Sequence, residues 1–257
     1  MKAIALVVAL TACTTLGPMP ATTGVSALPA GRPGVEAQAG FVPSFFLSRA
    51  VQDKAGGAVA SQLSALVEPD RWLGIPGLIL GARVFGQNGD SPGEPYIGYR
   101  HKLDDDIAIG GVAYGTSAHH EARLASYQAS RGGAEAAIDA KLWDVTSWLG
   151  LHAQGALSAT AVSAKGTYCV DPSGIAKDCD TMTPSNNTMI DGTVSGVFPA
   201  ATGTLSADFH GGGTFHGARI AAMAAAGQMP LVQNGMQSST GGYWSVGLLL
   251  TLGIGAQ

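Results

Sequence analysis

The chain has 257 residues, of which 12% are charged, and a net charge of −4. Charge is about half as frequent as the roughly 25% usual in soluble domains, and no basic patch marks a nucleic-acid surface. Glycine occupies 37 positions, and no stretch offers the roughly 18 unbroken apolar residues of a transmembrane helix.

The N-terminus reads as an address. Met1-Lys2 is a minimal positive region and Ala3 to Leu10 a short apolar one. Leu10-Thr11-Ala12-Cys13 then resembles the lipobox of bacterial lipoproteins, an aliphatic residue and two small residues before the cysteine. The resemblance implies a signal peptide over 1–12, cleavage before Cys13 and a lipid on that cysteine. Thr14, where an Asp would stand in the retention pattern of enteric bacteria, implies export to the outer membrane. With Cys13 lipidated, two of the 3 cysteines remain. Cys169 and Cys179 lie in a segment rich in Asp, Pro, Ser and Gly, and a disulfide between them suits an oxidising compartment.

Residues 13–43, rich in Pro, Gly, Ala and Thr, read as a flexible tether. Across 44–68 the spacing of Leu47, Val51, Ala55, Val59, Leu63 and Leu66 predicts a helix, weakened by Gly56-Gly57. From Trp72 onward the period becomes two, the signature of strands. Leu78, Leu80, Ala82 and Val84 oppose Ile79, Gly81, Arg83 and Phe85. Ile97, Tyr99 and Leu103 oppose Gly98, Arg100 and Lys102, and residues 107–115 form a Gly-rich run. Ala136, Ile138, Ala140 and Leu142 oppose Glu135, Asp139 and Lys141. Leu149, Leu151, Leu157 and Ala159 oppose His152, Gln154, Ser158 and Thr160. Residues 187–198 and a segment around Leu205, Ala207 and Phe209 follow. The last strand is the clearest: Trp244, Val246, Leu248, Leu250, Leu252 and Ile254 share one face, with Leu249 the lone large residue on the other.

Short links at Asp104-Asp105-Asp106, 144–147 and Pro199-Ala200 alternate with long ones near 86–94, 116–133, 166–187 and 227–241. Outer-membrane barrels have that asymmetry, with short periplasmic turns and long extracellular loops. A spanning structure without helices must be a closed barrel, because hydrocarbon satisfies no backbone group. The expected fold is therefore all-β: an up-and-down antiparallel transmembrane barrel of about eight strands over 69–257, preceded by one short helix. It resembles the small eight-stranded outer-membrane proteins over about 72–256. The terminal Gln257 departs from the aromatic residue on which such barrels usually end. A lipid-tethered soluble β-sandwich or lipocalin-like binder, with its apolar faces inward, is the main alternative, and an outer-membrane lipid-modifying enzyme is a further one.

Charges on the faces opposite the apolar ones form a candidate interior cluster: Arg83, Arg100, Lys102, Glu135, Asp139, Lys141, His152 and Asp208, with Arg219 as a further member. Buried charges must pair, so a salt-bridged interior is expected, with a narrow polar passage as the alternative. His210-Gly211-Gly212-Gly213 resembles a lipase oxyanion-hole motif, but no G-x-S-x-G elbow accompanies it; the glycines are expected to kink a strand. His119, His120, His210 and His216 supply no tetrahedral spacing, so no metal, no catalytic residue and no other cofactor is expected. The sequence thus points to a structural or surface-interaction protein of the bacterial outer membrane, its loops extracellular. Its expected partners are membrane lipid and the barrel-assembly machinery, with no nucleic acid and an unidentified extracellular partner.

Overall fold

The computed structural model describes residues 34–46, 58–67, 73–86, 93–121, 126–170, 176–177, 188–212, 215–233 and 237–255. In chain order the strands are β1 (Gly34–Phe46), β2 (Ala58–Val67), β3 (Leu78–Gly86), β4 (Gly93–Lys102), β5 (Ile107–Glu121), β6 (Ser126–Thr146), β7 (Leu149–Val170), β8 (Ala176–Lys177), β9 (Thr188–His210), β10 (Phe215–Gln233) and β11 (Gln237–Gly255). All pairings are antiparallel. Each long strand bonds to its two neighbours, β6 pairs with β7, and β1 pairs with β11, so the long strands close into a ring. The two-residue β8 only prolongs the edge of β7. No edge is left within the ring, which is the condition for crossing a bilayer.

Two strands exceed the expected number, and both come from the segment read as tether and helix. Residues 34–43 enter β1, and β2 replaces the second half of the expected helix; residues 47–57 lie outside the described residues. The apolar spacing that suggested a helix lost to tertiary pairing. β1 bonds β11 from Gly34↔Gly255 to Phe46↔Tyr243, and β2 is held on both sides by β1 and β3. Helical propensity interrupted by a Gly pair is a weak preference beside two full ladders.

From residue 78 onward the strands number as expected, but their boundaries move. The link expected at Pro199-Ala200 lies inside β9, which runs on to His210. Of the glycines expected to kink a strand, Gly211 and Gly212 instead follow β9, and Gly213 lies outside the described residues. The links expected at 116–133 and 227–241 are mostly strand. Asp104-Asp105-Asp106 is a tight turn, as expected: Asp104 Oδ1 accepts the backbone N–H of Asp106 at 2.8 Å and of Ile107 at 2.7 Å. Gly77 ends the connection into β3 at φ 81°, where a Cβ would collide with the Arg100 carbonyl.

The faces sort cleanly. On β11, Trp244, Val246, Leu248, Leu250, Leu252 and Ile254 are all exposed, while Tyr243, Ser245, Leu249 and Thr251 are buried in the lumen. Leu249 packs there with Val42, Ala221 and Met223. On β9 and β7, Val197 is 66% and Leu157 69% exposed, whereas Thr202, Thr204, Ser206 and Gln154 are buried. The outward residues of β9 from Phe209 to Val197 cover about 30 Å of thickness, taking about 3.3 Å per residue and a tilt of about 40°. Above them lies a row of outward serines, Ser130, Ser163 and Ser195, paired across β6, β7 and β9. Beyond that row the exposed Lys165 and Thr193 stand opposite each other.

Candidate functional site in the barrel lumen

Two charged networks cross the lumen. The first joins the strands β3 to β6. Arg83 Nη2 donates to Glu94 Oε1 at 2.7 Å, and Arg131 Nη2 donates to Glu94 Oε2 at 2.6 Å. The Arg83 guanidinium also sits over the Tyr114 ring, 4.1 Å from its centroid. Tyr114 reaches past Gly133 of β6 to Thr160 of β7, with 2.6 Å between the hydroxyls. Glu94 is wholly buried and bound by two guanidiniums, which is how a buried carboxylate is made tolerable.

The second network joins β6 to β10. Arg219 clamps Asp208 with two of its three guanidinium nitrogens, Nε to Oδ1 at 2.8 Å and Nη2 to Oδ2 at 2.5 Å. The same Nη2 reaches Asp139 Oδ2 at 3.1 Å, spanning the two strands that separate β6 from β10. Ser206 Oγ donates to Asp208 Oδ1 at 3.0 Å. His152 lies between the carboxylates, with Nδ1 3.5 Å from Asp139 and Nε2 3.6 Å from Asp208. β6 supplies Arg131 to one network and Asp139 to the other, about 26 Å apart along the strand. The networks therefore stack as two layers along the barrel axis.

Of the expected interior charges, Arg83, Arg100, Glu135, Asp139 and Asp208 are buried in the lumen, as is Arg219, and His152 is mostly buried. Lys102 and Lys141 are not interior. Lys102 turns back to Asp105 at 2.6 Å, and Lys141 reaches Asp106 at 3.1 Å and Asp144 at 3.0 Å, all at the short-turn rim. Both lysines stand near strand ends, where a long side chain reaches water and a turn carboxylate together. The Asp105 carboxyl is held below the usual carboxylate range, first by the hydrogen bond from Lys102 and then by that lysine's charge.

Sequence reading missed Glu94, Arg131 and Tyr114 as interior residues. Glu94 and Arg131 fell in segments read as links, and Tyr114 carries no charge to draw notice. Cys13, Cys179 and Trp72 lie outside the described residues, while Cys169 stands in β7 opposite Lys177 and Met189. Trp143 and Trp148 are exposed beside the β6–β7 turn, where Trp148 stacks on Phe209 at 6.1 Å between centroids, whereas Trp244 is exposed within β11 and not at its end. Interfacial aromatics occupy positions such as those of Trp143 and Trp148.

A closed antiparallel ring with apolar residues outward and paired charges inward is a transmembrane β-barrel of the outer-membrane type. The lipocalin-like alternative requires the opposite arrangement of faces. No family model and no curated protein matches the chain. Among solved structures it is similar to Neisserial surface protein A (11% identity, covering 88% of this chain and 98% of that one, TM-score 0.35). It is similar also to Ail, the attachment invasion locus protein of Yersinia pestis (12% identity, 87% and 99% covered, TM-score 0.34). A third is the translocator domain of the autotransporter NalP from Neisseria meningitidis (12% identity, 88% and 90% covered, TM-score 0.37). At that level of similarity the ladders and faces, and not the neighbours, carry the assignment of the class.

Proposed function

We propose that this chain is a non-enzymatic outer-membrane lipoprotein whose barrel is a closed support and whose role is structural or surface-interacting on the long-loop side. The carrying observation is the pair of salt-bridged layers: Arg83–Glu94–Arg131 and Arg219–Asp208–Asp139 tie non-adjacent strands across the lumen. A wide solute channel would hold its charges apart along the wall. Ser206, the hydroxyl beside Asp208 in the second layer, donates to that carboxylate and not to an imidazole. The strands extending past the serine row are the part available to an extracellular partner. In this reading Cys13 carries the lipid, and a Cys169–Cys179 bridge staples the loop at 166–187.

Reconstitution in a planar bilayer tests the reading. The expected result is no sustained conductance from the wild type; steady open channels would overturn it. The narrow-pore alternative draws on one observation, that the ring has more strands than expected and hence a wider lumen. It predicts small channels that grow when Glu94 or Asp208 is neutralised. Cys13→Ser should abolish incorporation of labelled fatty acid, and persistent labelling would remove the anchor from the proposal.

A further inference from the structure

Gly150 of β7 lies at the short-turn mouth, opposite Asp144 of β6 and Asp208 of β9. Lacking a side chain, it leaves a space in the lumen wall. His210 Nε2, Asp144 Oδ1 and His152 Nε2 surround that space, 3.3, 3.4 and 3.6 Å from where a Cβ on Gly150 would stand. Asp144 keeps its other oxygen on Lys141 at 3.0 Å, which turns Oδ1 toward the gap. Asp208 Oδ2 is 3.6 Å from the same His152 nitrogen.

His152 gives a second, independent pointer. Both its ring nitrogens are shut off from solvent and neither makes a hydrogen bond, although an imidazole needs a partner on each side. Its Nδ1 faces Asp139 Oδ1 at 3.5 Å, and that oxygen also lacks a hydrogen bond. A carboxylate behind one nitrogen and a space before the other is the arrangement of a metal-ligating histidine: the carboxylate fixes the tautomer and raises the basicity of the ligating nitrogen. Around the space stand the carboxylates of Asp139, Asp144 and Asp208 against the cations of Arg219 and Lys141, so these groups together carry one net negative charge.

We propose that this mouth of the lumen binds one divalent transition-metal ion, with zinc as the best match, through His152 Nε2, His210 Nε2 and Asp144. Asp139 orients His152, and water completes the tetrahedron. Two imidazoles and a carboxylate suit zinc chemically. Among the described residues no three such groups already stand at coordinating distance. The donors must close by a little over an ångström to reach the roughly 2.0–2.2 Å of zinc bonds. His210 is solvent-exposed, so its ring turns toward the ion without repacking the lumen.

The test uses the full-length protein in detergent, without a histidine tag, titrated with Zn²⁺ by calorimetry and with Co²⁺ by visible absorption. One site per chain with a tetrahedral Co²⁺ spectrum is expected. His210→Ala should weaken it at least tenfold. Gly150→Ala should do the same by filling the space, since its Cβ meets only the ends of flexible side chains. Asp139→Asn, which leaves every direct ligand in place, should weaken it about 10–100-fold. Heat-dependent gel mobility confirms that each variant is still a barrel, and exposed His210 supplies a variant that does not disturb the core. Absence of binding in the wild type overturns the proposal. Undiminished binding in Gly150→Ala and His210→Ala overturns it equally, because exposed histidines such as His101 would then be the ligands.

Discussion

Among the described residues the barrel has a low wall and a high wall. Strands β1 to β4 have 13, 10, 9 and 10 residues, while β6, β7, β9, β10 and β11 have 21, 22, 23, 19 and 19. About 9–11 tilted residues cross a bilayer, so the described part of β1 to β4 amounts to about one crossing, and the described high wall continues about as far again. Proline marks the division. The β4–β5 ladder begins at Tyr96↔Tyr114, directly after Pro95, and the β9–β10 ladder ends at Ala200↔Gly227, directly after Pro199. Proline cannot donate to a ladder and belongs where a strand becomes an edge. Each of these prolines ends one ladder while the other continues through it: Pro95 still pairs Ala82, and Pro199 still pairs Ala159. The high wall thus divides into a sheet of β5, β6, β7 and β9 and a separate hairpin of β10 and β11.

The charged layers tie these parts together, Arg83–Glu94–Arg131 joining β3 and β4 to β6 and Arg219 joining β10 to β9 and β6, and breaking one is the largest perturbation available. Arg219 fastens strands of the high wall to one another. Arg219→Ala strands the Asp139 and Asp208 carboxylates in the lumen and should destabilise the barrel by about 3–5 kcal/mol. The midpoint of urea unfolding in detergent would fall sharply; a midpoint within error of wild type would mean that the layer is not a brace. Arg219→Met with Asp139→Asn and Asp208→Asn, which removes the charges together, should recover much of the loss.

The height of the wall can be located by moving one charge along a single strand. Leu157 and Ser163 both face outward on β7, on opposite sides of the expected membrane surface. Leu157→Arg should cost about 2–4 kcal/mol and Ser163→Arg about 0–1. Folding into vesicles of defined thickness measures both. Equal costs would place the membrane boundary elsewhere on β7.

How much of this was legible follows the same two walls. Inside the membrane, lipid on one side and a packed lumen on the other impose a period of two, so the faces of β3, β7 and β11 are readable residue by residue. Beyond the serine row the strands leave the span expected to meet lipid. Nothing forces alternation on Tyr127, Gln128 and Ser130, or on Gln237 to Gly242, and these strands read as loops. Arg131 and Glu94 were lost with the links that contained them. The helix expected at 44–68 failed differently: a ten-residue segment carries too little pattern to reveal that two distant strands will bond it. The His152–His210 proximity was invisible for a related reason, since it is created by the β7–β9 register and by no spacing in the chain.

A smaller change probes what sets the division between sheet and hairpin. Because the β9–β7 ladder runs through Pro199, the missing donor is on the β10 side. Pro199→Val should let the β9–β10 ladder grow by a bond or two, slowing amide exchange at Gln228 and Met229, at a gain of about 0.5–1.5 kcal/mol. Unchanged exchange would mean that strand composition and not proline ends the ladder.

The smallest effect lies at the turn beneath both walls. Asp105 is fully exposed and its carboxyl is lowered by Lys102, first through their hydrogen bond. A carboxylate whose folded value is depressed contributes stability above its unfolded value, and that contribution disappears as pH falls through the folded value. Asp105→Asn should therefore behave as wild type in strong acid and show a slight deficit at neutral pH. The deficit should shrink in high salt, because an exposed pair is screened. Unfolding midpoints of the two proteins at pH 2 and pH 7 decide it. A deficit that persists in acid would assign the loss to the geometry of the Asp104–Asp106 turn and not to the ion pair.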